Sequence, residues 1–362
     1  MKIIDIANIN TEKIETSVLT RNTYISTENM LSNCGGVGVA STIPTGKVTS
    51  FCRDDTLISN IRPYFKKVWY ARFNGGCSND VICVRTKSEM CLPAYLYYAL
   101  CTDKFIDTFS ASSKGTKMPR GDKNALLSYE IPDRTIAEQQ HIVDILGSID
   151  DKIENNTKII EEHEKLLELY FEKLLSEKTD EWKEASLLDI ADYTNGLAMQ
   201  KFRPKGTAYL PVVKIKELSQ GYVDANSEQA DISIGDKFII DDGDIVFAWS
   251  GTLMVKIWCG GKGGLNQHLF KVTSDNFSKW FIYLWTKYHL TKFQNIAKGK
   301  AVTMGHIKRD DLAKSVALIP TVDILKKYES IIAPLFERIV SLYQENKTLS
   351  KLKTQYLHQF FG

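Results

Sequence analysis

The chain of 362 residues is long enough for two domains, and its 43% hydrophobic and 25% charged residues are typical of a folded globular protein. Its formal net charge of +2, from 46 basic and 44 acidic residues, argues by itself against a nucleic-acid-binding protein. Its longest apolar runs, such as residues 281–285, are far shorter than the roughly 18–20 residues that span a bilayer, and no apolar signal core follows the N-terminus. We therefore expect a cytoplasmic protein.

The cysteines and histidines do not form the patterns of a metal or disulfide site. The seven cysteines are odd in number and include no C-x-x-C pair, and the six histidines are dispersed. This usage predicts reduced thiols packed as small hydrophobic side chains, with no metal in this chain.

An internal repeat organises the chain. The sequence IIDIA at Ile3–Ala7 returns as LLDIA at Leu187–Ala191, and GTKMPRGDKNALLSYEIP aligns with AVTMGHIKRDDLAKSVALIP. Between these landmarks each half has a strand (residues 54–61 and 243–250), then a glycine-containing segment with another strand, then an aromatic helix. The aromatic helices start at Pro93 and Lys279. The chain is therefore predicted to hold two copies of one module.

Each copy ends in a long amphipathic helix. The first begins at a capping box, Thr135 to Glu138, and apolar residues then recur at alternating spacings of four and three, which is the heptad of a coiled coil. The same stripe recurs 186 residues later, and two such helices most simply pack on each other. The predicted seam comprises Ile142, Leu146, Ile149, Ile153, Asn156, Ile160, Leu167, Tyr170, Leu174, Ile332, Leu335, Ile339, Leu342, Leu349, Tyr356 and Phe360.

The second stripe is less regular than the first. Asn346 and Lys353 are polar residues within it, and Pro334 is expected to kink the helix or to delay its regular start. Asp323 lies near the positive end of this helix. We expect Asn156 and Asn346 to lower stability but to fix the register of the pair, and His163 to be a packed or partly exposed residue rather than a ligand.

The near-neutral total hides an uneven distribution of charge. Residues 1–134 carry a net charge of +4, residues 135–180 carry −7, residues 181–320 carry +3 and residues 321–362 carry +2. Residues 296–309 contain four cations and no acid, and residues 112–123 contain four cations and one acid at the equivalent place. Such glycine-bearing basic loops suit contacts with phosphates and base edges, although ordinary solvated loops have similar compositions.

These features together resemble the DNA specificity (S) subunit of Type I restriction–modification systems, over essentially the whole chain. The resemblance rests on IPDRTIAEQQHIVDILGSIDDKIENN after the first module, and on YISTENM and LISNIRPYFKKVWYA within it. In the second module it rests on NGLAMQKFRP, GDIVFAWSGT, GGKGGLNQHLF and TMGHIKR.

The resemblance implies two α/β (α+β) target-recognition domains joined by two long helices that form an antiparallel coiled coil, with an internal pseudo-twofold repeat. Its expected boundaries are residues 1–134 and 181–320 for the recognition domains, and 135–180 and 321–362 for the helices. Each domain would read one half of a bipartite asymmetric site in double-stranded DNA, and the helices would set the spacer between the halves.

The same resemblance implies a non-catalytic subunit in a prokaryotic, phage-defence complex. Methyltransferase subunits and an ATP-dependent restriction (translocase and nuclease) subunit would be its partners, and those partners would bind S-adenosylmethionine, Mg²⁺ and ATP. The helices' exposed faces would dock the methyltransferases, including an acidic run on the first helix, although such a run is more often only a solvated face. That run consists of Glu161, Glu162, Glu164 and Glu168.

Candidate DNA contacts are residues that can bond base edges or grip phosphates from these loops. In the first module they are Asn60, Arg62, Asn79, Lys114, Lys117 and Arg120. In the second they are Lys201, Arg203, Lys214, Trp249, Ser250, Asn266, Gln267, His268, Lys300, Thr303, His306, Lys308 and Arg309. Structural roles remain open for Trp249 as a core residue, for Asn79 and Asn266 as turn residues, and for His268 as a hydrogen-bonding residue.

Catalytic motifs are missing from the sequence, which favours a binding role. No N-P-P-[YF], F-x-G-x-G or G-x-x-x-x-G-K-[ST] motif occurs, and the acidic cluster at residues 241–244 is more typical of a turn than of a metal site. Two rival hypotheses are a coiled-coil adaptor without DNA specificity and a cryptic nuclease. A filter-binding assay tests the first, and Mg²⁺-dependent cleavage by the pure chain tests the second.

Overall fold

The structure is a computed structural model that describes residues 1–87, 89–113, 115, 118–224, 226–299 and 305–362. These residues form two compact units. The first unit comprises residues 1–152 and 349–362, and the second comprises residues 153–348. Each unit therefore combines one of the predicted modules with segments of the two long helices.

The first module has short strands and helices that precede a long helix. Its strands are β1 (Ala7–Ile9), β2 (Lys13–Glu15), β3 (Tyr24–Ile25), β4 (Lys47–Phe51), β5 (Thr56–Ser59), β6 (Val68–Tyr70), β7 (Gly75–Cys77) and β8 (Val81–Thr86). Its helices are α1 (Ile3–Ile6), α2 (Pro93–Leu100), α3 (Asp103–Ala111), α4 (Lys123–Ser128) and the long α5 (Ile136–Ser176).

The second module repeats this order. Its strands are β9 (Lys183–Ser186), β10 (Asp192–Asn195), β11 (Leu210–Val213), β12 (Gln229–Ala230), β13 (Ile239–Ile240), β14 (Asp244–Ala248), β15 (Met254–Trp258), β16 (Gly263–Leu265), β17 (Leu269–Thr273) and β18 (Val316–Ile319). Its helices are α6 (Leu187–Ile190), α7 (Ile215–Gln220), α8 (Lys279–Tyr288), α9 (Leu290–Gly299), α10 (Arg309–Ala313) and the long α11 (Val322–Phe361).

Both modules are built on the same antiparallel sheet. The strand order is β1-β8-β5-β6 in the first module and β10-β17-β14-β15 in the second. Alternate residues of the first sheet face opposite layers: Ile58 and Ile82 pack in the cluster of the aromatic helix, whereas Leu57 and Cys83 pack in a cluster with Phe51 of another sheet. Both faces of the sheet are thus covered, which explains its nearly continuous apolar strands.

The second sheet differs between the modules. Its order is β2-β4-β7-β3 in the first module and β12-β11-β16-β13 in the second. In both, a glycine-containing strand, β7 or β16, lies between one parallel and one antiparallel neighbour. The fourth strand joins opposite edges, because β2 pairs with the antiparallel neighbour β4 whereas β12 pairs with the parallel neighbour β11. The repeat therefore preserves the first sheet more closely than the second.

The expected single aromatic helix is wrong in both modules, because each is broken into two. In the first module, Thr102 takes an extended conformation and its hydroxyl accepts the N–H of Phe105 at 3.3 Å, which starts α3 after α2 has ended. In the second module, α8 ends at Tyr288, His289 caps it, and α9 begins at Leu290. The break lets two short apolar helices cover a sheet face that one straight helix would cross.

The long helices run antiparallel within each unit. The Thr135 capping box is confirmed, since the hydroxyl of Thr135 accepts the Glu138 N–H at 3.3 Å and the Glu138 carboxylate accepts the Thr135 N–H at 2.8 Å. In the first unit, Asp150 of α5 pairs with Lys353 of α11 at 2.6 Å. In the second unit, the amide of Asn156 donates to the Asn346 side-chain oxygen at 2.9 Å. The polar stripe residues Asn156 and Asn346 therefore meet each other, whereas Lys353 pairs with a residue outside the stripe.

The predicted seam residues differ in burial. Those that are fully buried are Ile142, Leu146, Ile149, Asn156, Ile160, Leu167, Leu174, Ile332, Ile339 and Leu342. Those that are half-buried are Ile153, Tyr170, Leu335, Leu349, Tyr356 and Phe360. In α11, Leu335, Tyr356 and Phe360 are each followed by a residue that is buried instead, namely Phe336, Leu357 and Phe361. A straight helix has 3.6 residues per turn, so its buried face moves to later positions relative to a strict seven-residue repeat, which accounts for this shift.

Pro334 does not delay the second long helix. Helix α11 begins at Val322, twelve residues earlier, and runs through Pro334 to Phe361. Asp323 lies in its first turn, as expected from the helix dipole. The mixed helix-and-sheet modules and the antiparallel helix segments confirm the predicted α/β (α+β) fold class with coiled-coil helices.

Candidate nucleic-acid interface

A hairpin tip in each module brings the predicted loops together. In the first module, β5 and β6 are joined by residues 60–67, and the Arg62 N–H donates to the Pro119 carbonyl at 2.9 Å while the Gly121 N–H donates to the Asn60 carbonyl at 3.1 Å. Residues 119–121, near the end of the basic loop, therefore lie beside the hairpin. This end of the loop pairs with the tip as a short antiparallel bridge between Ile61 and Arg120.

The second module repeats these hydrogen bonds. The Gly251 N–H donates to the Gly305 carbonyl at 3.0 Å, and the Ile307 N–H donates to the Trp249 carbonyl at 3.1 Å. The bridge here joins Ser250 to His306. The residue pairs 60 and 249, and 120 and 306, therefore occupy equivalent positions, and each is a predicted contact residue.

The first tip carries an ion pair. The Arg120 guanidinium contacts the Asp80 carboxylate at 2.8 Å, and the Asp80 carbonyl accepts the N–H of Asn60. The Asn60 side chain is buried, so it supports the tip from beneath, whereas Arg62 is exposed. Among the described residues, no carboxylate pairs with the Arg62 guanidinium. Arg62 is thus the candidate of this tip whose charge is available to a phosphate or a base edge.

The remaining first-module candidates are Asn79, Lys114 and Lys117. Asn79 is exposed in the turn that precedes β8, and its side-chain oxygen accepts a hydrogen bond from the Lys13 ammonium at 3.4 Å. Lys114 and Lys117 lie outside the described residues.

The second tip carries aromatic rings in place of the ion pair. Trp249 is half-buried and stacks on Phe270 with ring centroids 5.6 Å apart. Its burial is therefore intermediate between that of a core residue and that of a surface residue. Its indole N–H reaches outward to the side-chain oxygen of Asn195 at 3.0 Å. The ring centroids of His268 and His306 each lie 6.2 Å from that of Trp249.

His268 is held between two side chains of the same tip. Its Nδ1 lies 2.8 Å from the Ser250 hydroxyl and its Nε2 lies 3.3 Å from the Gln267 amide nitrogen. Both ring nitrogens are therefore within hydrogen-bond distance of a polar side chain of the tip. Asn266 is buried and closes the turn before this group, with its side-chain oxygen accepting the His268 N–H at 3.3 Å.

A second basic group of this module is partly neutralised by Glu228. The Lys214 ammonium and the Arg203 guanidinium both contact the Glu228 carboxylate, at 2.5 Å and 3.6 Å. Hydrogen bonding from Lys214 lowers the pKa of Glu228, which therefore stays charged. Lys201 is exposed nearby in sequence. These three residues are not brought to the hairpin tip by any described contact.

The remaining candidates follow the bridge. Lys308 and Arg309 are exposed where α10 begins, directly after the bridged segment of residues 305–307. Lys300 and Thr303 lie outside the described residues.

Sequence reasoning missed three parts of this surface. Asp80 and His268 are structural equivalents, because their carbonyls accept the N–H groups of Asn60 and Trp249. Extending the repeat alignment through the second strand would have identified Asp80. Asn195 was passed over because it is distant in sequence, and the exposed aromatic rings of residues 64 and 65 have no counterpart in the repeat.

The acidic cluster forms the predicted turn. The Asp244 carboxylate accepts the Asp241 N–H at 2.9 Å and pairs with Lys271 at 2.9 Å, while Asp242 accepts the Gly261 N–H at 2.6 Å. Within the described residues, no group of three or more histidine, cysteine or acidic side chains is arranged to hold a metal. Among the described helices, none is both long and apolar enough to cross a membrane.

Comparison with known proteins places this geometry in a family. The family model of the Type I restriction modification DNA specificity domain matches residues 1–165 and 179–350. The chain is 28% identical over 286 residues to the Type I restriction enzyme MjaIX specificity subunit of Methanocaldococcus jannaschii, a match that covers 72% of this chain and 66% of that protein, slightly less than two thirds. It is 30% identical over 93 residues to the EcoDI specificity subunit of Escherichia coli, covering 26% and 20%.

A solved structure shows the same fold. A crystal structure of the Type I restriction–modification S subunit from M. genitalium superposes with a TM-score of 0.60 at 16% identity, covering 100% of this chain and 95% of that one. The chain therefore belongs to the Type I restriction–modification DNA specificity family, and it carries two copies of the family's domain.

Proposed function

We propose that this chain reads a bipartite, asymmetric site in double-stranded DNA as the specificity subunit of a Type I restriction–modification complex. Each module would recognise one half-site through its hairpin tip and the strand beside it. One observation supports this most: both tips share a backbone hydrogen-bond pattern, yet they present different side chains. A constant backbone with changed polar groups is what two readers of different sequences require.

The two long helices would connect the readers and set the unread spacer. Their exposed faces would dock methyltransferase subunits, which would in turn assemble with a restriction subunit. Adenine methylation, DNA cleavage and the binding of S-adenosylmethionine, Mg²⁺ and ATP would belong to those partners, and this chain would contribute no catalytic residue.

Sequence selection is the direct test. The full chain would be incubated with a pool of randomised duplexes, and the bound fraction would be sequenced after several rounds. We expect two conserved blocks, different in sequence and separated by a fixed unread gap. Methylome sequencing of cells that carry the intact system should report the same two blocks around methylated adenines. A bound fraction without any enriched sequence would contradict the proposal and favour an adaptor without DNA specificity.

An insertion into the first helix tests the spacer role separately. Four residues added near Asn156, roughly one helical turn, would lengthen α5 by about 6 Å. We expect the unread gap to change while both conserved blocks stay the same. A change in either block would contradict the assignment of the spacer to the helices.

A further inference from the structure

The two hairpin tips differ in length, and the extra residues of the first tip form a distinct turn. The loop between β14 and β15 has residues 249–253, whereas the loop between β5 and β6 has residues 60–67. The additional residues fold into a short 3₁₀ turn over Pro63–Phe65. No counterpart of this turn exists among the described residues of the second module's loop.

This turn is held in a strained conformation. Arg62 and Lys66, which flank it, have φ angles of 50° and 53°, in a region that residues other than glycine rarely adopt. Neighbouring segments fix it there: the Asn33 N–H donates to the Phe65 carbonyl at 3.0 Å, and the Cys34 N–H donates to the Lys66 carbonyl at 2.8 Å. Strain of this kind persists only where the surroundings enforce it, and it concentrates at functional sites.

The enforced turn holds two aromatic rings in solvent. The side chains of Tyr64 and Phe65 are 56% and 39% exposed, although they contact each other with ring centroids 4.8 Å apart. Pro63 is buried behind them and fixes the base of the turn. The Lys66 ammonium is bonded to Asp103 at 2.7 Å, which anchors the far side. A rigid, exposed aromatic pair is unfavourable in water unless a partner covers it.

The exposed Arg62 gives the aromatic pair a cationic neighbour, which suits DNA. Arg62 precedes the turn directly, whereas the guanidinium of the nearby Arg120 already contacts Asp80. Proteins that distort DNA commonly combine such cations with an apolar wedge inserted between neighbouring bases.

We propose that Tyr64, backed by Phe65, enters the base stack at the half-site read by the first module and unstacks one base step there. This inference rests on the proposed function, because it names how one of the two half-sites is engaged. The second module, which lacks the turn and keeps Trp249 stacked on its own Phe270, would bind its half-site without this distortion.

Fluorescence of 2-aminopurine tests the wedge, because its emission rises when the base is unstacked. A series of enriched duplexes, each with 2-aminopurine in place of a different adenine, would be mixed with the full chain. We expect a rise within one half-site only. Tyr64→Ala should abolish the rise and weaken binding of this duplex by about 5- to 150-fold, the range that loss of a base–aromatic contact gives.

Tyr64→Phe is the matched control, because it keeps the ring and removes only the hydroxyl. It should retain both the rise and the affinity, and all three proteins should melt at the same temperature since the side chain is exposed. If the enriched duplex shows no rise in 2-aminopurine fluorescence, or if the rise survives Tyr64→Ala, the wedge is overturned while the proposed function stays intact. Failure to enrich any duplex would overturn both. If Tyr64→Ala instead lost a methyltransferase subunit with the rise unchanged, the rings would be a protein contact and the wedge would be wrong.

Discussion

The tips of the β5–β6 and β14–β15 hairpins share two bridging backbone hydrogen bonds but carry different side chains. The first presents an Asp80–Arg120 ion pair where the second presents His268 and His306 around Trp249. The bridging hydrogen bonds agree to within 0.1 Å between the two tips, at 2.9 and 3.0 Å for one and at 3.1 Å for the other. The comparison shows that the same main-chain hydrogen bonds hold both tips against the bridging segment although the side chains of the tips differ.

A similar contrast occurs between the helices. Asp150 and Lys353 pair in the first unit, with side chains 21% and 14% exposed. The repeat places Phe336 and Leu167 at the equivalent positions of the second unit, and both are buried in its apolar core. At these equivalent positions of the long helices, the first unit therefore has an ion pair and the second unit has hydrophobic residues.

The largest effect is expected from breaking that ion pair. Asp150→Ala would leave the Lys353 ammonium mostly buried without its carboxylate, and would also remove the acceptor of the Tyr98 hydroxyl at 3.0 Å. Removal of one partner of a buried pair costs about 3–5 kcal/mol, so the first unit should lose about 3 kcal/mol of unfolding free energy. Urea denaturation measures this loss, with Lys351→Met on the exposed face of α11 as the control.

Replacing the ion pair of the first unit by the hydrophobic residues of the second tests whether the two arrangements are interchangeable. The double variant Asp150→Phe, Lys353→Leu copies the arrangement of the second unit, and it should recover most of the stability lost in Asp150→Ala. A double variant as unstable as the single one would show that the two arrangements are not interchangeable.

A smaller effect is expected at the first hairpin tip. Arg62→Ala should weaken DNA binding by about 1–3 kcal/mol if the guanidinium reads a base, with relaxed selectivity at one position. If it touches only phosphate, the loss should be uniform across sequences and the dependence on salt should flatten. Arg309→Ala gives the corresponding test in the second module. Arg53, exposed at the other end of the β5 strand, is the matched control, and equal loss in Arg53→Ala would remove Arg62 from the site.

The smallest expected effect is a pH dependence of the stability of the second unit. Burial lowers the pKa of His289, which outweighs the raising effect of its Nε2 hydrogen bond to the Val316 carbonyl at 2.9 Å. The folded second unit thus binds fewer protons here than the unfolded chain. The contribution of His289 to stability is retained above the ordinary histidine pKa of about 6.5 and is lost as the pH falls below it.

Thermal melting between pH 7.5 and 5.5 measures this loss. His289→Gln keeps a donor for the Val316 carbonyl without a titrating ring, so the pH dependence of the second unit should decrease. An unchanged pH dependence in that variant would assign the loss to other groups.

Much of the fold could be predicted because the repeat and the heptad are local patterns. The capping box at Thr135 and the polar meeting of Asn156 with Asn346 follow from sequence spacing alone. The partner of Lys353 could not be predicted, because Asp150 lies 203 residues away and outside the stripe. The break at Thr102 was missed because an apolar run conceals a side chain that caps a new helix.

The candidate site was predicted less completely than the fold. Residue type selected Arg62 and Arg120 alike as candidates, but it could not show that Asp80 already engages the charge of Arg120. Nor could it indicate that Tyr64 is exposed, because an aromatic residue in a strand-rich segment is ordinarily buried. Exposure and ion pairing depend on contacts between distant segments, which a single sequence does not contain.

The short bridge beside each hairpin has a consequence for how such a protein changes over generations. Its bonds run from main chain to main chain, so they do not depend on the exposed side chains of residues 62 and 120. Substitutions can therefore accumulate at these two positions with little loss of foldability. Under the proposed function, a new sequence preference could then arise in one module while the other module keeps its own.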